Sequence, residues 1–173
     1  MSDKPNPPKE QKNIHTMSFL VANKPGVLVR IALVFARRGF NIDSLVVSPT
    51  VNPHFSRMTI TAQGDPATLE QILKQSGKLV DVIHASEHRL EESLEKELAL
   101  FKVRYKPSTK KEIDKLTRRF HAHEVDLTDS YLIIEQTGST KEVDEFEALL
   151  KKIGIVEMVR TGKVILAKGK EQT

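Results

Sequence analysis

Polar and apolar residues change period several times along this chain, and each change marks an element. From Thr16 to Ala22 (TMSFLVA) apolar residues alternate and then run on in the manner of a strand, until Asn23-Lys24-Pro25-Gly26 interrupts them with turn chemistry. Val27, Leu28, Ile31, Ala32 and Phe35 then recur at helical spacing, with Arg30 turned away and Arg37 and Arg38 gathered in the last turn, where cations suit a helix C-terminus. Pro25 presets φ at or close to the first helical position, and Gly39 supplies the stop. Ile42 to Val51 and Ser56 to Ala62 read as two strands joined at the Asn52-Pro53-His54 turn, a predicted hairpin. Asp65 before Pro66 predicts an N-cap and a first-turn proline for a helix carrying Leu69, Ile72 and Leu73. Gly77 ends that helix, and Lys78 to Ser86 is a further strand.

The second half follows the same plan more loosely. Leu98 to Tyr105 is a strand, and Thr109-Lys110-Lys111-Glu112 predicts a capping box before Ile113, Leu116 and Phe120. Glu124 to Thr128 and Tyr131 to Thr137 flank the Asp129-Ser130 turn. Ser139-Thr140-Lys141-Glu142 predicts a second capping box before Val143, Phe146, Leu149 and Leu150, and Ile155 to Arg160 closes the unit. The order βαββαβ, with right-handed crossovers, is solved most economically by a four-stranded antiparallel sheet with two helices on one face. The predicted class is α+β with two ferredoxin-like βαββαβ modules, residues 14–88 and 98–167, joined by a charged connector over 89–97 and followed by a tail over 168–173. Residues 1–13, rich in proline and polar groups, are expected to be a disordered extension.

The loop before the first helix carries the clearest candidate chemistry. The N–H groups of that helix's first turn lack partners within the helix, and Gly26 has no side chain to keep a ligand from them, so a carboxylate would bind there. The Asn23 amide beside them would accept a bond from an ammonium group, and the pair suits a free amino acid. The same residues also make a good turn and helix start with no ligand at all.

Composition narrows the classes. The 39% apolar content supports a real core, and with no cysteine there is neither a disulfide framework nor thiol chemistry. No apolar run approaches the roughly 18 residues of a membrane span, and residues 1–13 lack a signal-peptide core, so a soluble cytoplasmic protein is expected. The +4 charge is spread among 23 acidic residues and reads as a solvated surface. An RNA-recognition module shares the βαββαβ order, but it stacks bases on sheet aromatics, and the corresponding strand Phe55-Ser56-Arg57-Met58-Thr59-Ile60-Thr61 has no such pair. His121 and His123 would share a face of a strand, yet no third Cys or His ligand stands near them in sequence. Asp81 and the paired Glu91 and Glu92 are the other candidates, the glutamates belonging to a mixed-charge, solvated segment. With no phosphate loop, nucleophile elbow or HExxH, the chain reads as non-catalytic.

Several separated stretches, in order and spacing, resemble the small regulatory subunit of acetolactate synthase (acetohydroxyacid synthase), whose N-terminal half is an ACT domain. They are Asn23-Lys24-Pro25-Gly26-Val27-Leu28, Arg37-Arg38-Gly39-Phe40-Asn41-Ile42-Asp43-Ser44-Leu45, Phe55 to Ile60 and Lys78 to Val82, then Glu97 to Val103, Ile133 to Gly138 and Arg160-Thr161-Gly162. The resemblance implies a homodimer through the ACT domain, with a branched-chain amino acid, commonly valine, bound at the dimer interface. It also implies attachment to a large catalytic subunit holding thiamine diphosphate, Mg²⁺ and FAD, which is activated and made sensitive to end-product inhibition; this chain would hold no cofactor itself. Carried over residue by residue, Asn23 and Gly26 match the ligand loop, Lys24, Pro25, Val27 and Leu28 would shape the pocket, and Asn41 matches the asparagine that reaches the ligand from the second copy. Asn41 also suits a plain turn into the next strand. Glu124 departs from an apolar pattern, and His121 and His123 from a basic one. A free-standing ACT amino-acid sensor with another partner is the competing reading.

Overall fold

The computed structural model describes residues 14–89, 91–170 and 173; the extension expected over 1–13 lies outside the described residues, as do Glu171 and Gln172 of the tail. The chain divides into two compact units with the break after His88, residues 44–47 apart. Both units are ferredoxin-like.

In the first unit β1 (Ile14–Ala22), α1 (Val27–Ala36), β2 (Ser44–Pro49), β3 (Phe55–Gln63), α2 (Pro66–Ser76) and β4 (Val82–His88) follow one another, and the sheet runs β2-β3-β1-β4. β1 is antiparallel to both β3 and β4, with Met17 opposite Ile60 and Phe19 opposite Met58. Those four residues, with Val21, are buried together with Val27, Ile31 and Phe35 of α1 and Leu69 and Ile72 of α2, which makes this face the core. The opposite face of β1 buries polar groups instead, and there the Ser18 hydroxyl bonds Ser86 (3.0 Å) and the His88 ring (2.6 Å).

The regular part of α1 stops at Ala36, and a further turn closes on Gly39 at φ 72°, where the Phe40 N–H reaches Phe35 O (3.1 Å) and the Gly39 N–H reaches Ala36 O (3.0 Å). This is the Schellman pattern. Arg38, in that turn, donates to Gln71 (2.8 Å) and Gln75 (3.1 Å) of α2. β2 is shorter at both ends than the expected Ile42 to Val51, and two other boundaries differ from expectation for local reasons. Pro25 stands two residues ahead of Val27, close to the first helical position but outside the helix. The strand expected from Lys78 begins only at Val82, because Lys78 and Leu79 donate back to Gln75 and Ser76 of the helix end and close a turn.

In the second unit β5 (Ser93–Arg104), α3 (Lys110–Phe120), β6 (His123–Leu127), β7 (Tyr131–Gly138), α4 (Thr140–Ile153), β8 (Ile155–Arg160) and β9 (Val164–Ala167) form a sheet ordered β6-β7-β5-β8, with β9 also on β5. β5 begins five residues before the predicted strand, so Ser93–Glu97 of the charged segment set aside as a connector lie in it. The strand was missed there because its partner, β9, was not predicted. β9 pairs Ser93–Lys96 and β8 pairs Ala99–Val103, and between them the Thr161 hydroxyl accepts from the Leu98 N–H (3.2 Å). The core contains Ala99, Phe101, Val103, Ile113, Leu132, Ile134, Val143, Phe146 and Leu150, with Phe101 and Phe146 edge to face at 5.4 Å.

The capping box at Ser139 forms: its hydroxyl accepts from the Glu142 N–H (3.3 Å), and the Glu142 carboxylate accepts from the Ser139 N–H (2.7 Å). The box predicted at Thr109 does not form. Its hydroxyl turns back instead, accepting from the Lys106 N–H (3.2 Å) and donating to Lys106 O (2.9 Å). The start of α4 is tied further to the sheet by Glu97, 4% exposed, which accepts from the Thr140 hydroxyl and from two nitrogens of Arg160. Burial works against the Arg160 charge, but its bonds to Asp144 and Glu97 prevail and leave its pKa raised.

Candidate functional site

The loop between β1 and α1 is held from two sides. Ala22 N–H donates to Asp81 O (2.8 Å), ahead of β4, and Asn23 N–H donates to His54 O (2.8 Å) in the β2–β3 turn. The Asn23 side chain adds a bond from Nδ2 to Pro53 O (3.0 Å). With the amide nitrogen engaged, the group is oriented and its Oδ1 is the atom left to accept.

Gly26 is the N-cap of α1 at φ 83°, a backbone that glycine adopts at little steric cost, and no side chain caps the helix. Asn23, Lys24, Pro25 and Gly26 are exposed around this uncapped start. Of the next two residues, Val27 is buried in the core and Leu28 faces outward. The partial positive charge of the first turn therefore meets solvent beside an oriented amide, an arrangement that suits a carboxylate and an ammonium together.

A residue that sequence reasoning passed over completes this corner. Arg30, one turn into α1, lies with its guanidinium 3.3 Å from where a Cβ on Gly26 would stand, and it is ion-paired with Asp81. Asp81, a candidate for chemistry in the sequence, thus has a structural partner and holds a cation over the helix start. Arg30 and Asp81 are 51 positions apart, so no local pattern links them.

Asn41 lies elsewhere. It is exposed beyond the other end of α1, after Gly39-Phe40 and before β2. A helix of ten residues is about 15 Å long, so Asn23 and Asn41 of one copy cannot contact the same amino acid. Along the outer side of α1, Leu28, Val29 and Leu33 are 41%, 60% and 44% exposed, an apolar stripe on the helix surface.

The remaining candidates do not converge. His121 is the left-handed residue (φ 52°) that closes α3, whereas His123 opens β6, so the two do not share a strand face. Glu91 and Glu92 are exposed. Among the described residues no three or more His, Cys, Asp or Glu are grouped to hold a metal, and no helix is long and apolar enough to cross a membrane.

Comparison with known proteins gives one answer along the chain. Residues 17–84 match the family model of the AHAS small subunit-like ACT domain, and residues 96–169 match that of the small subunit of acetolactate synthase. A probable acetolactate synthase small subunit of Archaeoglobus fulgidus is 46% identical over 158 residues, 91% of this chain and 99% of that protein. The acetolactate synthase small subunit of Mycobacterium leprae is 40% identical over 155 residues, 90% of this chain and 92% of that protein. The crystal structure of the acetolactate synthase small subunit from Thermotoga maritima superposes with a TM-score of 0.82 at 41% identity, over 91% of this chain and 99% of that one. With an ACT domain at its head and the second half of the family after it, the chain belongs to the acetolactate synthase small subunits, the regulatory partners of that enzyme.

Proposed function

We propose that this chain dimerises through its ACT domain, binds a branched-chain amino acid, valine first among them, between the two copies, and thereby activates and feedback-inhibits a catalytic large subunit in branched-chain amino acid biosynthesis. The observation that carries the reading is the uncapped start of α1, with Gly26 at φ 83° beside the oriented Asn23 amide. The α-carboxylate would sit at that start, near Lys24 and under Arg30, and the ammonium on Asn23 Oδ1. Pro25, Val27 and Leu28 shape the wall. Asn41 joins from the second copy, since in its own copy it stands at the far end of the helix. Leu28, Val29 and Leu33 supply apolar surface for that second copy to cover.

Control then follows from linkage. Only a ligand that binds one arrangement of the dimer more tightly than another shifts the attached enzyme, and a difference of about 1–3 kcal/mol is enough. Thiamine diphosphate, Mg²⁺ and FAD belong to the large subunit in this reading, and the present chain contributes regulation. The family match over 96–169 supports it over a free-standing ACT sensor, which has no need of that half.

The test is acetolactate formation by the large subunit of the same source, with and without this chain, across titrations of valine, leucine and isoleucine. Activation together with new inhibition supports the whole reading and identifies the effector. Activation without inhibition by any of the three removes the ligand site, and no effect on an active large subunit favours the free-standing sensor.

A further inference from the structure

The second unit repeats the ligand corner of the first. β1 ends at Ala22 and the chain runs Asn23-Lys24-Pro25 before α1; β5 ends at Arg104 and the chain runs Tyr105-Lys106-Pro107 before α3. The backbone clamp is the same, because the Tyr105 N–H donates to Ser130 O (2.8 Å) in the β6–β7 turn as Asn23 does to His54 in the β2–β3 turn. Neither α1 nor α3 has a side-chain cap, and at α3 the Thr109 hydroxyl is engaged with Lys106 instead.

At this corner lies a cleft of about 440 Å³ lined by Arg104, Tyr105, Lys106, Asp129, Ser130 and Tyr131. It is an open cleft with a mainly polar lining, so charge rather than apolar burial would select its ligand. The side chains of Arg104, Lys106 and Asp129 have no hydrogen-bond or ion-pair partner among the described residues. Two cations and one carboxylate therefore line a single cleft with no ion pair among them, beside the exposed Tyr131 ring, over which Lys102 stands at 5.4 Å, and the edge of Tyr105, which packs against the core. A cleft that offers cationic groups and a carboxylate together is the complement of a small zwitterion.

We propose that this cleft binds a second free α-amino acid, its carboxylate on Arg104 and Lys106, its ammonium on Asp129 and its side chain against the exposed Tyr131 ring. The site is separate from the one at Asn23 and does not depend on it. It would let the regulatory chain read a second amino acid signal through its C-terminal half.

The chain carries its own reporter. It has two tyrosines and no tryptophan, and both tyrosines line the cleft, so ultraviolet emission excited above the phenylalanine band comes from this site alone. The full chain would be titrated with each protein amino acid other than phenylalanine, tyrosine and tryptophan while tyrosine emission is followed. A saturable change is expected with at least one of them, retained in Asn23→Ala. Arg104→Ala or Asp129→Asn, both at exposed positions, should weaken it at least about tenfold, the loss of one charge-assisted hydrogen bond. No saturable change with any amino acid overturns the proposal. So does a change that disappears in Asn23→Ala and survives Arg104→Ala, which would make the tyrosines reporters of the first site. A change reproduced by inorganic phosphate and indifferent to Asp129→Asn would make the cleft an anion site and remove the amino acid. Calorimetry of Asn23→Ala with valine, read separately, judges the first site alone.

Discussion

The two helices of each unit begin differently. α2 starts under Asp65, whose carboxylate accepts from the N–H and hydroxyl of Thr68, both at 2.9 Å, and α4 starts with the Ser139–Glu142 box. α1 and α3, the first helices of their units, start with no side-chain cap. A cap contributes about 1 kcal/mol, so each uncapped start forgoes that much. The capped helices close their units, whereas the uncapped ones leave donors toward solvent at corresponding corners of the same fold. In the proposed reading, the contrast sets starts that serve stability against starts left open for a ligand.

Substitutions at the two kinds of start should part in their effects. The largest loss of stability is expected at the closed end. Arg160→Ala leaves the buried Glu97 carboxylate without its cation, which should cost about 3 kcal/mol or more in urea unfolding. A loss under about 1 kcal/mol would mean that the Glu97–Arg160 pair adds little to the fold.

Gly26→Ala asks the open start to hold a left-handed alanine and brings a methyl within 3.3 Å of Arg30, so a cost of roughly 1–2 kcal/mol should accompany loss of valine binding. Ser139→Ala should cost about 1 kcal/mol and leave effector affinity alone. Asn23→Ala should do the reverse, with affinity falling about tenfold and stability changing by no more than about 0.5 kcal/mol. If Asn23→Ala proves as destabilising as Ser139→Ala, its bond to Pro53 is what matters there and the contrast fails.

Acid sharpens the comparison further. Bonds from the Ser139 backbone and hydroxyl hold the Glu142 carboxyl below its usual range, and those from Thr68 do the same for Asp65. A carboxyl depressed on folding contributes stability above its unfolded pKa, about 4, and that contribution is lost as pH falls through the lower folded value. Glu142→Gln should flatten the acid limb of the unfolding curve, and no change in that limb would remove the box from the account. The smallest effect is expected at His121, where the last turn of α3 closes as α1 does on Gly39 but with a side chain present. His121→Gly should raise stability by roughly 0.5–1 kcal/mol.

Local punctuation was legible and distant pairing was not. Asp65-Pro66, Ser139 to Glu142 and Gly39 carry their signals within a few residues, and the elements there formed as read. Thr109 carried the same signal as Ser139, but Lys106 offered its hydroxyl a nearer partner, a competition that spacing alone does not rank. The four residues of β9 were too short to stand out, and without them the charged start of β5 looked like a linker. At the candidate site, Asn23 and Gly26 were visible as turn chemistry, whereas Arg30 required the fold to bring Asp81 beside it.

The long strand β5 also bears on how the protein is made. Its first residues, Ser93–Lys96, find their partner only in Val164–Ala167, about 70 positions later, while the strands and helices of the first unit all lie before Arg89. During synthesis the ACT domain is free to fold as it leaves the ribosome, but the second sheet must wait with an unpaired edge until its last strand emerges. Truncation just before Val164 would make that wait permanent and turn the start of β5 into a template for aggregation.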